Sequence, residues 1–150
     1  MKKIFSLLLL LAAFSNTYAQ HSTCDGNRYR NYVFSTIDST IGVQFGLNFT
    51  MNNVSQNLLM DIYQPNADPA PKRPLIIYIH GGGFVQGTRQ EGLGYCLVFA
   101  SKGFVTATID YRLIDVPAPT LDSVAIAEGL IQAISDAKAA IRFFVADAAT

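Results

Sequence analysis

From Ile41 to Phe49 the chain alternates without a break. Ile41, Val43, Phe45, Leu47 and Phe49 are apolar, and Gly42, Gln44, Gly46 and Asn48 stand between them. A period of two predicts a half-buried antiparallel strand with those five side chains on one face. Residues 32–37 read as a strand before it, with Asp38 and Ser39 as the intervening turn, and "TMNNVSQ" as the turn that follows. Leu58 to Tyr63, "LLMDIY", is the next strand. "QPNADPAPKRP" carries four prolines and reads as a surface loop.

The pattern then changes. "LIIYI", Leu75 to Ile79, is continuously apolar and rich in β-branched residues, which suits a strand buried on both faces of a parallel sheet. Gln90 to Lys102 is compatible with a helix whose apolar side holds Leu93, Leu97, Val98 and Ala100, and Gly103 is a natural stop. "FVTATI", Phe104 to Ile109, is a second buried-type strand, and "DYRLIDVPAPT" is a loop with two prolines. From Asp122 to about Ala148, apolar residues recur at spacings of three and four: Ala127, Leu130, Ile131, Ile134, Ala137, Ile141, Phe144, Val145 and Ala148. That predicts a long helix with this set as its buried face, capped by Thr120 or Asp122. Antiparallel strands followed by strand, helix, strand and helix predict an α/β fold with a parallel second half. A crossover helix exists to deliver the chain to a further strand, so the expected domain continues beyond Thr150.

The N-terminus reads differently. "MKKIFSLLLLLAAFSNTYAQ" has two lysines, an apolar run from Ile4 to Phe14, and Thr17-Tyr18-Ala19 before Gln20. This is the pattern of a secretory signal peptide over residues 1–19, leaving 20–150 as the folded part. The run is about 11 residues where a bilayer span needs roughly 20, so no membrane span is expected once the leader is removed. Export to the periplasm or the exterior is the expected destination. Half the residues are hydrophobic and 15% are charged, as in an ordinary globular domain. The formal net charge of zero, about −2 without Lys2 and Lys3, shows no basic surface for nucleic acid. In an oxidising compartment Cys24 and Cys96 can pair. Such a bridge would close a loop of about 70 residues and stabilise the fold by about 4 kcal/mol. The alternative is a buried helical thiol at Cys96 with Cys24 free. Neither cysteine sits in a catalytic pattern.

The chemistry concentrates in "IYIHGGGFVQG", Ile77 to Gly87. A P-loop is excluded, because Thr88 and Arg89 stand where the phosphate-binding lysine and the magnesium-binding hydroxyl are required. GxGxxG is excluded by Gln86. A plain glycine turn and an oxyanion hole remain. Acyl transfer places negative charge on a former carbonyl oxygen, and preorganised backbone N–H groups lower that barrier. Such donors must approach without an intervening side chain, which favours glycine.

The flanking segments decide between these two. "HGGGF" after a buried strand resembles the HGGG-type oxyanion loop of α/β-hydrolase lipases and esterases. "LLMDIYQP", "RPLIIYIHGGGFVQG", "FASKGFVTATIDYRL" and "DAKAAIRFF" occur in the order seen in secreted carboxylesterases, including type B, hormone-sensitive-lipase-like and feruloyl or acetyl xylan esterase-like members. The resemblance implies the N-terminal half of an α/β-hydrolase fold, truncated before the nucleophile strand. It implies that Gly82 and Gly83 present the oxyanion donors. His80, Gly81 and Phe84 would support the loop, and Asp110, Tyr111 and Arg112 would be structural near the site. It implies no metal or organic cofactor, and a small-molecule or polysaccharide-linked ester as substrate. His80 is not the triad histidine in this pattern, and His21 has no partner motif. No GxSxG occurs, and Ser101 and Ser135 lie on predicted helices. The triad is therefore expected beyond Thr150, and these 150 residues alone are expected to be inactive. The alternatives are an acetyl or feruloyl esterase acting on plant polysaccharide and a non-catalytic, hydrolase-like binding protein.

Overall fold

A computed structural model of the chain describes residues 26–117 and 121–148. The leader pattern, His21 and Cys24 therefore lie outside the described residues, as does Thr120. Four strands form one sheet in the order β1-β2-β4-β3: β1 Ile37–Phe49, β2 Ser55–Pro65, β3 Leu75–Ile79 and β4 Val105–Ile109. β1 pairs with β2 and β2 with β4 antiparallel, while β3 and β4 run parallel. Between β3 and β4 come a 3-10 turn, Arg89–Gly92, and the helix α1, Leu93–Ala100. The second helix, α2, is Ser123–Asp147. This is the expected α/β order, with an antiparallel start and then a parallel strand–helix–strand–helix unit.

Alternation along the strands divides the core into two layers. Leu58 and Met60 of β2 and Ala107 and Ile109 of β4 pack with Phe45 and with Ala140 of α2. On the opposite face Tyr63 packs with Cys96 and Ala100 of α1. The hydroxyls of the central strand are satisfied locally. Thr106 donates to Cys96 O (3.1 Å), and Thr108 donates to Arg89 O (2.7 Å).

Four features of the strands and their approach depart from the pattern read in the sequence. Residues 32–36 do not form a strand. Instead Val33 N and Phe34 N both donate to Ser101 O at 2.9 Å, so this segment crosses the end of α1. Asp38 and Ser39 are not a turn but belong to β1, opposite Gln64 and Tyr63. The unbroken alternation in β1 is interrupted by two register shifts, between Thr40 and Val43 and between Gln44 and Gly46. A one-residue offset moves all following side chains to the other face. Val43 thus lies opposite Met60 and Gly46 opposite Leu58, whereas Leu47 and Phe49 lie opposite Asn57 and Ser55 and are exposed. Finally, β3 pairs only with β4 among the described residues, so its middle is half-buried and Ile79 is 50% exposed.

The largest departure is in α2. Its start is as expected, with Asp122 accepting from Val124 N (3.0 Å) and Ala125 N (2.9 Å). Its buried line, however, is Ala125, Gly129, Ala133, Asp136 and Ala140. Leu130, Ile134 and Ile141 are exposed, and Ile131 and Val145 are 63% and 65% exposed. Ala137 and Phe144 are half-buried against the core. Small side chains let the helix axis approach closely. A Cβ on Gly129 would lie 2.3 Å from Ile114 Cγ1. A helical Gly→Ala change ordinarily stabilises by about 1 kcal/mol. Here Gly129→Ala is expected to destabilise by about 1–3 kcal/mol through overpacking. Adding Ile114→Ala should reverse the sign. Urea unfolding of the single and double variants checks this, and a stabilised single variant would refute the close approach.

Beside the end of α1, Arg28 and Arg73 share Asp68, whose side chain is out of solvent. Arg28 donates through both terminal nitrogens (2.9 and 2.5 Å) and Arg73 through Nε (2.6 Å). The Arg28 hydrogen bonds, with help from Ala70 N–H and Arg73, hold the Asp68 carboxyl well below the usual carboxylate range. A depressed folded-state value stabilises the fold fully above the unfolded value of about 4, and that contribution is lost as pH falls below it. Asp68→Asn should therefore lower stability at neutral pH and flatten its decline in acid. Parallel acid dependence in the two proteins would count against this account.

Candidate active site

β3 delivers the chain to His80 at the end of the sheet where β4 delivers Asp110, Tyr111 and Arg112. His80 is buried. Its Nδ1 lies 2.8 Å from Gly81 O, and its ring stacks on Tyr111 at 4.3 Å and 15°. The Tyr111 hydroxyl donates to His80 O (3.1 Å) and reaches Gly81 O at 3.5 Å. Burial pushes the Tyr111 phenol up from its ordinary value.

The glycines are not equivalent. Gly82 has φ +111°, and a Cβ there would lie 2.0 Å from Gln86 O. Gly83 has φ +62° with open space around it. Gly81 has neither a positive φ nor a neighbour in the way. Phe84 also takes a positive φ, +66°, a conformation uncommon for a bulky residue. It is held by Ile114 N donating to Phe84 O (2.7 Å) and by edge contact with Tyr111 at 6.2 Å. Gly82 O accepts from Val85 N (3.2 Å) and Gln86 N (3.3 Å), which folds the loop back on itself. Among the described residues, the N–H groups of Gly82 and Gly83 have no acceptor.

The loop's far end is fixed by charge. Arg89 donates to Asp61 Oδ1 through Nε (2.8 Å) and to Asp110 through Nη1, and its backbone N–H also donates to Asp110 (2.8 Å). Both Asp110 oxygens are thus taken by Arg89. Asp61 is buried and also accepts from Gly42 N (2.8 Å), at the first irregularity in β1. Arg112 and Asp136 form a second buried pair. Arg112 donates to Asp136 through Nε (2.9 Å), Nη2 (2.8 Å) and its backbone N–H (2.9 Å), and through Nη1 to Phe49 O (2.8 Å). The segment after β4 is thereby tied to α2 and to the end of β1.

A recess of about 270 Å³ opens beside the loop, lined by Thr50, Gln56, Thr88, Asp110, Tyr111 and Asp115 among others. A smaller, apolar cavity of about 70 Å³ lies against Cys96, Tyr78 and Phe99, and burial pushes the Cys96 thiol up. Cys96 is buried on α1, and its proposed partner Cys24 is not among the described residues. Ser101 donates to Val98 O (2.8 Å) at the end of α1, and Ser135 is exposed on α2. No group of three or more His, Cys, Asp or Glu among the described residues is arranged to hold a metal. No described helix is long and apolar enough to cross a membrane.

The structure therefore brings His80, Gly81, Gly82, Gly83, Phe84 and Tyr111 into one cluster, with Asp110 and Arg112 anchoring it from below. Sequence reasoning missed Gly87, Asp61, Arg89 and Gly92. A Cβ on Gly87, whose φ is +113°, would lie 2.2 Å from His80 Nδ1, and one on Gly92 would lie 2.3 Å from Thr108 Oγ1. Gly87 had a signal, since it closes the same glycine-rich stretch. The Asp61–Arg89 pair had none, because its partners are 28 residues apart.

Comparison with known proteins finds the same fold in solved esterases. Esterase B from Lactobacillus rhamnosis HN001 is similar at 24% identity and a TM-score of 0.51, over 95% of this chain and 40% of that one. Two inhibited forms of that esterase, one with a C4-C4 tributyrin phosphonate, are similar at 25% identity and TM-scores of 0.53, over 90% of this chain and 39% of theirs. The chain thus spans about 40% of the length of these esterases. No curated protein matches it. The BD-FAE family model matches residues 60–150, a stretch that runs from β2 through the glycine loop to the end of α2. The chain, with the strand order of part of an α/β-hydrolase, belongs to the BD-FAE family.

Proposed function

We propose that this chain supplies the oxyanion-holding part of a serine carboxylic-ester hydrolase. The observation that carries this reading is the pair of N–H groups on Gly82 and Gly83, which have no acceptor among the described residues, in a loop whose far end, Gly87 and Thr88, lines a recess. A serine oxygen attacks the ester carbonyl, a histidine takes the serine proton, and the two N–H groups hold the resulting oxyanion. Collapse expels the alcohol, and water then releases the acid. The serine, histidine and acid are not in this sequence, which has no GxSxG, and the proposal assigns them to residues outside it. His80, Gly81 and Phe84 support the loop; Asp110, Tyr111 and Arg112 are structural. No cofactor takes part.

A polysaccharide-linked acetyl or feruloyl ester is the second reading of the substrate. It is favoured by polar side chains at the recess, where Thr50, Gln56, Thr88 and Asp115 can meet a hydroxyl-rich alcohol. The leader pattern supports export, and N-terminal sequencing of the mature protein is expected to begin at Gln20. The catalytic reading is tested with p-nitrophenyl acetate. A triad-bearing form of the protein is expected to turn it over and to be silenced by a serine-reactive phosphonate. The 150 residues alone are expected to show no turnover. Serine-dependent hydrolysis by the 150-residue chain would refute the division of labour, and a folded, triad-bearing form without activity would favour a binding protein.

A further inference from the structure

We infer that His80, steadied by Tyr111, clamps the Gly81 carbonyl and so aims the Gly82 N–H at the reacting oxygen. The inference rests on the oxyanion reading and names the residues that orient it. A carbonyl oxygen only accepts hydrogen bonds. The 2.8 Å contact between His80 Nδ1 and Gly81 O therefore requires the proton on Nδ1. Tyr111 holds the preceding peptide, its hydroxyl donating to His80 O at 3.1 Å and lying 3.5 Å from Gly81 O. Its ring, stacked at 15° on the imidazole, restricts rotation of the histidine about its own bond.

The peptide bond is planar and trans, so its C=O and N–H point in opposite directions. Drawing Gly81 O toward His80 turns the Gly82 N–H the other way. The next peptide is treated alike: Gly82 O is drawn back by Val85 N and Gln86 N, which turns the Gly83 N–H outward. Two successive carbonyls are tied inward, and the N–H groups opposite them, on Gly82 and Gly83, have no acceptor among the described residues. Gly87 completes the device by omission. A Cβ there would lie 2.2 Å from His80 Nδ1 and 2.6 Å from Gly81 O, in the space where the clamp bond forms. Neither side chain touches the reacting atoms in this account, so both are positioning residues.

The test compares His80→Leu, His80→Asn and Tyr111→Phe in the triad-bearing enzyme. The readouts are kcat and KM for p-nitrophenyl acetate and affinity for phenylboronic acid, which forms a tetrahedral anion on a serine nucleophile. His80→Leu is expected to lower kcat and boronate affinity together by about 10- to 100-fold while KM stays near wild type. His80→Asn, which keeps an N–H donor near the Nδ1 position, should recover most of that loss. Tyr111→Phe keeps the stack and loses the hydroxyl, and should fall between. Wild-type kcat and boronate affinity in folded His80→Leu, or an asparagine variant no better than leucine, would overturn the clamp. A readout that needs no variant is the imidazole tautomer of the wild-type chain by ¹⁵N NMR. Nδ1–H supports the clamp, and an Nε2–H-only ring overturns it. Gly82→Ala separates the two levels. If it also turns over normally, the oxyanion reading fails; if it alone is silent, only the clamp fails.

Discussion

Gly82→Ala is expected to lower kcat of the triad-bearing enzyme by about 10²- to 10³-fold, the usual effect of losing one oxyanion donor. The reason is steric before it is electrostatic. At φ +111° a Cβ on residue 82 would sit 2.0 Å from the Gln86 carbonyl oxygen, a backbone atom that cannot swing aside. The loop must open, which breaks the bonds from Val85 N and Gln86 N to Gly82 O and releases both donors from their directions. Gly83→Ala meets open space and has only its left-handed φ of +62° to tolerate, at about 1–2 kcal/mol. Gly81→Ala meets neither obstacle. The expected order of damage is therefore Gly82, then Gly83, then Gly81. Circular dichroism should show all three variants folded, because the loop lies at the end of the sheet and outside both core clusters. A folded Gly82→Ala enzyme with undiminished turnover would sink the oxyanion assignment. The contrast among the glycines also separates their roles. Three consecutive glycines read as one signal, but only the middle one is required by both conformation and space.

Asp136→Ala is expected to cost about 3–5 kcal/mol of folding stability, the range for removing one partner of a buried ion pair. The Arg112 and Asp136 side chains are 6% and 1% exposed, so the remaining guanidinium cannot recover its lost partner from water. The loss is a large share of the roughly 5–15 kcal/mol that holds a domain together. Replacing both residues with apolar ones, as in Arg112→Met with Asp136→Leu, should recover part of it. Recovery should be incomplete, since Phe49 O and the Arg112 N–H would lose their partners. Urea unfolding of the chain measures both variants. A loss below about 1 kcal/mol, the value of a surface pair, would show that the contact is not the anchor the geometry describes. Because Arg112 directly follows Tyr111, loosening it should also disturb the support under His80.

Much of this site was legible before any coordinates. β3 occupies the residues read as a strand, Leu75–Ile79, and Gly103 follows α1 with φ +102°, the left-handed conformation a helix stop requires. Asp122 caps α2 through its carboxylate. The clustering of His80, the glycines, Phe84 and Tyr111 follows from two parallel strands ending side by side, Ile79 opposite Ile109. What was misread shares one cause. The face that α2 buries is chosen by what lies beneath it, and Ala125, Gly129, Ala133 and Asp136 win over the larger apolar residues. They fit closely over Ile114 and deliver a carboxylate to Arg112. Alternation in β1 failed because two local shifts in pairing with β2 reset the faces, a matter of register between strands.

The sequence by itself determined many of the local events: the cores of β2, β3 and β4, the start of α2, and which stretch carries the glycines. These depend on backbone conformation and on neighbours within a few residues, so they are written in short windows. Only the tertiary structure decided which helix face is buried, which glycine is indispensable and which charges meet. Asp61 and Arg89 are 28 residues apart, Arg112 and Asp136 are 24 apart, and Tyr111 reaches His80 across 31. Contacts of that range depend on the packing of whole elements against one another. A hydrophobic pattern constrains that packing only loosely, and van der Waals fit and the satisfaction of buried charge complete it.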